Sequence, residues 1–153
     1  MILQFADGEP FAVGATTYLY APATDQDMSD RIQLPIVFEL SEATDVLAVV
    51  DTGAPYSILD PLIAKQIGFS PEMTLERTAV TVRGVKLRGS LIRLSTTLQA
   101  EVGENLTIDS TTFIPDSEEQ WNQFPSFIGQ AGFLERIRFA IDPNTNTFYF
   151  GAP

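Results

Sequence analysis

Short β-branched and aromatic runs recur along this chain between Gly, Pro, Asn and Asp, and that rhythm predicts β-strands. TTYLYAP (16–22), RIQLPIVFEL (31–40), DVLAVV (45–50), RTAVTVRGVKLRGSLIRLSTTL (77–98), LTIDSTTFI (106–114), RFAID (138–142) and TFYFG (147–151) are the candidate strands. SEAT (41–44) and PNTN (143–146) are links of hairpin size. Two stretches have no such rhythm. ATDQDMSD (23–30) is a polar, acidic connector with nothing to bury, and DSEEQWNQFPS (116–126) is a second connector that carries the single Trp. Against this background two short helices are expected. Asp60 caps the first, Pro61 suits its first turn, LIAKQI supplies an apolar face and Gly68 ends it. The other is AGFLERI (131–137). The predicted class is all-β with one or two short helices.

Composition narrows the possibilities. The 153 residues suit one domain, and 44% hydrophobic with 19% charged residues describes a globular chain. No apolar run reaches the length of a membrane span. The opening MILQFADGEPF has no basic residue before its short apolar patch, so it does not read as a secretory signal, and a cytoplasmic location is expected. Cysteine and histidine are both absent. Disulfides, thiol nucleophiles, His-assisted serine chemistry and ordinary zinc sites are therefore excluded, and no metal or cofactor is expected. A net charge of −11 repels a phosphate backbone, so nucleic acid is an unsuitable partner. Five of the nine basic residues, Arg77, Arg83, Lys86, Arg88 and Arg93, fall in one stretch that contains no acid.

The chemistry is concentrated in LAVVDTGAPYSIL (47–59). An ionised carboxylate at the inner end of an apolar strand costs several kcal/mol unless it is paired or hydrogen-bonded. In Asp51-Thr52-Gly53 the glycine lets the backbone turn so that an amide donates to the carboxylate, and Thr52 can turn its hydroxyl inward to brace the loop. Taken alone, such a tripeptide is usually only a turn. Here it follows VLAVV and runs into the capped helix, and about 75 residues later comes FIGQAGFLERIRFAIDPNTNTFYF.

This ordered pair of segments resembles the retropepsins, the single-domain aspartic proteases of retroviruses and their cellular and bacterial relatives. The resemblance implies a closed all-β fold over residues 1–153, with 1–30 as an amino-terminal extension and 31–151 as the core. It implies that Asp51 is the catalytic aspartate, that Thr52 bonds across a subunit interface, and that Gly53 and Ala54 line the site. By the same resemblance Phe127-Ile128-Gly129 is the element through which the catalytic loop is threaded, and Val82-Arg83-Gly84-Val85 is the tip of a substrate-covering flap. Gln130 and Pro55 depart from the pattern, since viral members commonly have Arg at the first position and many have Asp at the second. One chain holds one Asp-Thr-Gly, whereas the reaction needs two carboxylates sharing a proton, so the implied enzyme is a homodimer that cleaves peptide or protein substrates without metal or cofactor.

The alternative function is a non-catalytic retropepsin-like dimerisation or peptide-binding module. Asp25, Asp27 and Asp30 lie close in sequence, but no calcium-loop Gly or distal Glu follows, so they read as a solvated linker. Trp121 reads as packed beneath a loop. The terminal segments ILQF and TFYFG read as exposed sheet edges suited to pairing subunits, and the basic stretch as a flap that attracts acidic peptides.

Overall fold

A computed structural model describes residues 2–121 and 124–153 of the chain. Residues 122 and 123, in the middle of the second expected connector, lie outside the described residues. Twelve strands form two sheets: β1 Gly14–Thr17, β2 Leu19–Ala21, β3 Arg31–Glu39, β4 Ala43–Val50, β5 Ser57–Ile58, β6 Glu76–Val82, β7 Val85–Leu98, β8 Val102–Gly103, β9 Leu106–Pro115, β10 Phe127–Ile128, β11 Arg138–Asp142 and β12 Thr147–Gly151. The larger sheet has the order β2-β3-β4-β10-β5-β9-β7-β6, and an additional β3–β7 pairing closes six of these strands into a barrel. The fold class is all-β, as the sequence predicts. The smaller sheet runs β11-β12-β1-β8.

Alternation builds the barrel wall. On β3 the side chains of Leu34, Ile36 and Phe38 are fully buried while Pro35, Val37 and Glu39 are not. The outer ladder of β3 is shared by two strands, with residues 31–33 facing β2 and 36–39 facing β7. It breaks near Pro35, which has no N–H to contribute. Inside lie Leu34, Ile36, Phe38, Ala48, Ile92, Leu94 and Ile128, together with Phe148 and Phe150 from the smaller sheet. A second apolar cluster joins Val80, Val82, Leu87 and Leu91 of the β6–β7 hairpin to Val49, Phe113, Trp121 and Phe127. That cluster fixes the hairpin over the barrel mouth.

Four expectations change. The segment 16–22 is two strands that diverge, β1 into the small sheet and β2 onto β3. The predicted helix at 131–137 is only a 3-10 turn at Leu134–Arg136, because Gly132 has φ +80° and Ile137 already runs into β11. The second connector instead forms a helical turn, α2, at Glu118–Trp121, whereas α1 at Pro61–Gln66 is where the capping signals put it. Finally, TFYFG is no edge. β12 lies between β11 and β1, with Phe148 and Phe150 fully buried, and ILQF contributes only an isolated bridge from Gln4 to Pro10. Among the described residues no helix is long and apolar enough to cross a membrane.

Candidate active site

The loop after β4 is held from both sides. β10 runs parallel to the end of β4, pairing Phe127 with Val49 and Ile128 with Val50, and the Asp51 amide donates to the Ile128 carbonyl at 3.0 Å. Past Thr52 and Gly53 the contacts resume: Gln130 N–H donates to Ala54 O at 2.9 Å and Ala131 N–H to Pro55 O at 2.8 Å. The chain thus threads residues 127–131 against the loop. Gly129 makes this possible, since a Cβ there would come within 2.2 Å of the Tyr56 carbonyl oxygen. Its own amide donates to Ser57 Oγ at 3.1 Å.

Asp51 is half-buried at the end of this scaffold. Its Oδ1 accepts the Gly53 amide hydrogen at 2.9 Å, and its carbonyl accepts from Ala54 N–H at 3.1 Å. The carboxylate is therefore oriented by the backbone of its own turn, which is the arrangement the tripeptide suggests. Thr52 does not turn inward; it is exposed.

Above the loop stands the β6–β7 hairpin. Val82 pairs with Val85, leaving a two-residue turn of Arg83 and Gly84 with φ of 50° and 81°, and left-handed conformation at both central residues matches a type I′ turn. Gly84 meets that requirement at no steric cost. A cavity of about 150 Å³ lies between loop and hairpin, lined by Asp51, Gly53, Ala54 and Pro55 below and by Val80, Thr81, Val82 and Arg83 above. Of the residues singled out in the sequence, Asp51, Gly53, Ala54, Val82 and Arg83 thus meet in one cleft. Gly84 is at the exposed hairpin tip, Val85 faces a neighbouring hollow, and Ile128 and Gly129 lie behind the loop as its support.

A scan against protein-family models and a search of curated proteins both find no match. Among solved structures, the crystal structure of a retropepsin-like aspartic protease from Rickettsia conorii is similar, with a TM-score of 0.53 and 17% identity over 91% of this chain and 94% of that one. The fold is retropepsin-like.

Within this retropepsin-like fold, positions 55 and 130 do come together through the backbone bonds on either side of them. Being Pro and Gln, they form no ion pair there. Arg31 is a wall residue that sequence reasoning missed. The observed register, centred on Ser41, pairs Gln33 with Val49, and two residues further it sets Arg31 opposite Asp51; the link read from sequence, 41–44, would have given a different register.

The basic stretch on β6 and β7 is in part engaged with acids of the same chain, while Lys86 and Arg88 are exposed. Arg83 Nη2 donates to Asp27 Oδ1 at 2.7 Å, so Arg83 is not a free cation. Arg77 forms a two-pronged pair with Asp116, and Arg93 lies 3.6 Å from Asp109. Asp27 is turned inward, contrary to the reading of its connector as having nothing to bury; its side chain is only 2% exposed. Burial opposes its charge, but the Thr24 and Ala23 amides and the Arg83 and Arg31 guanidinia outweigh that effect and hold the carboxyl below its ordinary range.

Proposed function

We propose that the chain is an aspartic endopeptidase that acts as a homodimer. One observation carries this reading: the Asp51 carboxylate, oriented by the Gly53 amide at 2.9 Å, lines a cleft under a hairpin of a retropepsin-like barrel. Each chain brings one such carboxylate, and twofold pairing brings two face to face. Two carboxylates about 3 Å apart cannot both ionise readily, so the pair holds one proton.

The ionised member takes a proton from a water lodged between them, and the protonated member polarises the scissile carbonyl. The water oxygen bonds to the carbonyl carbon. When the C–N bond breaks, a carboxyl returns a proton to the leaving amine, and the pair is ready again. Exposed Thr52 is available for a bond across the subunit interface. Gly53 and Ala54 would meet the substrate backbone from below, and Val82, Arg83, Gly84 and Val85 from above, with Ile128 and Gly129 supporting the loop.

Peptide-library cleavage at several pH values by wild type and Asp51→Asn tests this. Cleavage at acidic to mildly acidic pH, falling in alkaline solution where the pair holds no proton, and lost in the variant, is the expected result. Cleavage by a clean preparation of Asp51→Asn would overturn it. Peptide binding without cleavage by wild type would instead identify a non-catalytic binding module.

A further inference from the structure

The hairpin over Asp51 is tied down at its tip. Asp27 uses one oxygen to fix its own connector, Oδ2 accepting Ala23 N–H at 2.8 Å and Thr24 N–H at 3.0 Å. The other oxygen reaches across the fold to Arg83 at 2.7 Å, with Arg31 Nε 3.8 Å away. Arg83 is the first residue of the β6–β7 turn, and its guanidinium also lies over the Phe124 ring, 5.7 Å from the centroid. A carboxylate this buried is costly to leave uncompensated, so the pair resists separation.

Arg31 and Arg83 belong to the walls of two hollows. One is the 150 Å³ cleft at Asp51, and the other is a larger hollow of about 730 Å³ lined also by Asp27, Met28, Trp121 and Phe124. Arg31 and Arg83 are shared by both, and Asp27 holds Arg83 from the side of the larger hollow. A movement of the hairpin tip away from the 23–30 connector parts Arg83 from Asp27.

We propose that Asp27 is a positioning residue that latches the hairpin over the Asp51 cleft through Arg83. Its consequence for substrate entry rests on the protease reading, but the latch is a property of the single chain. The charged groups around it are Arg31 on β3, Arg83 on the β6–β7 turn, Glu119 of α2 on the same hollow, and Asp25 and Asp30 in its own connector. Because the Asp27 carboxyl lies below its ordinary range, the charged pair is complete at neutral and mildly acidic pH. It is lost only as pH falls through that lowered value, below the ordinary aspartate value of about 3.9. The latch is thus engaged where an aspartic dyad works, and any substrate entry that moves the hairpin tip away from the connector must break it.

Amide hydrogen exchange across residues 80–87 of the full chain tests the latch without requiring any activity. Asp27→Asn and Arg83→Gln are each expected to speed exchange in this hairpin by about tenfold or more, as for a lost charged hydrogen bond, and to leave the β9 amides unchanged. The double variant should be no faster than either single, and Arg83→Lys should keep most of the protection. Corrected for intrinsic rates, wild-type protection should be steady from about pH 7 to 5 and fall below about pH 4, whereas Arg83→Gln should show no such step. Arg83 is on an exposed turn, so its variants report even if Asp27→Asn does not fold. Unchanged hairpin exchange in Arg83→Gln, or additive effects in the double variant, would overturn the proposal. A wild type that cleaves nothing would remove the protease reading and leave these exchange outcomes to decide the latch.

Discussion

Gly129 and Asp60 carry structural demands that a single atom decides. A Cβ at Gly129 meets the Tyr56 carbonyl oxygen at 2.2 Å, and neither backbone can yield without disturbing the loop that presents Asp51. Gly129→Ala is expected to cost about 2 kcal/mol or more in a urea titration, in line with overpacking of a tight interior; a loss below about 0.5 kcal/mol would contradict the threading. Asp60 Oδ1 accepts the Leu62 amide at 2.8 Å, so Asp60→Ala should cost about 1 kcal/mol through the lost cap. The cap was readable because the amide that Asp60 accepts lies two residues ahead, whereas the role of Gly129 came only from the resemblance to the retropepsins, since the Tyr56 carbonyl that excludes a side chain is distant in sequence. Asp27 was not readable, since the partner that draws it inward, Arg83, is 56 residues away. A buried acid whose cation comes from a distant hairpin looks, in sequence, like any solvated loop residue.

Elements were legible where one face is buried. The hairpin β11–β12 follows from alternation and its polar link, and its register from the turn length, whereas β3–β4 turns at residues 40–42 instead of 41–44 and β6–β7 lies within the stretch 77–98 that reads as one run. Pairings between distant segments were not: nothing local says that residues 14–21 feed two sheets, or that β12 has a neighbour on each side. The β6–β7 hairpin has one more tether at its base, where Arg77 on β6 grips Asp116, the residue after β9. The Arg77 hydrogen bond, opposed by burial and aided by the charges of Arg77 and Arg88, lowers the Asp116 carboxyl from its ordinary range. A lowered carboxyl contributes stability that is present above its unfolded value of about 3.9 and lost as pH falls through the folded one. Asp116→Asn should therefore lower Tm slightly at pH 7 and not at all at about pH 2, the difference shrinking in high salt because the pair is half exposed. An equal loss at both pH values would point to packing instead of charge.

For the molecule as a whole, the barrel brings a half-buried Asp51, a threaded support and a covering hairpin to one mouth, and a single chain supplies one of the two carboxylates that the proposed mechanism needs. β12, from which the sequence led us to expect a subunit contact, is paired on both sides, so the proposed dimer would have to use another surface. Activity per chain should fall on dilution in step with dissociation measured by sedimentation; undiminished specific activity from a monomer would contradict the shared site. The measurement that tests the central claim most directly mixes wild type with Asp51→Asn after dissociation and reassociation, and follows cleavage per wild-type chain. At equal amounts the homodimer account predicts a fall to about half, since random pairing sets half of the wild-type chains opposite a carboxamide. Cleavage per wild-type chain that stays constant as the variant is added would contradict it.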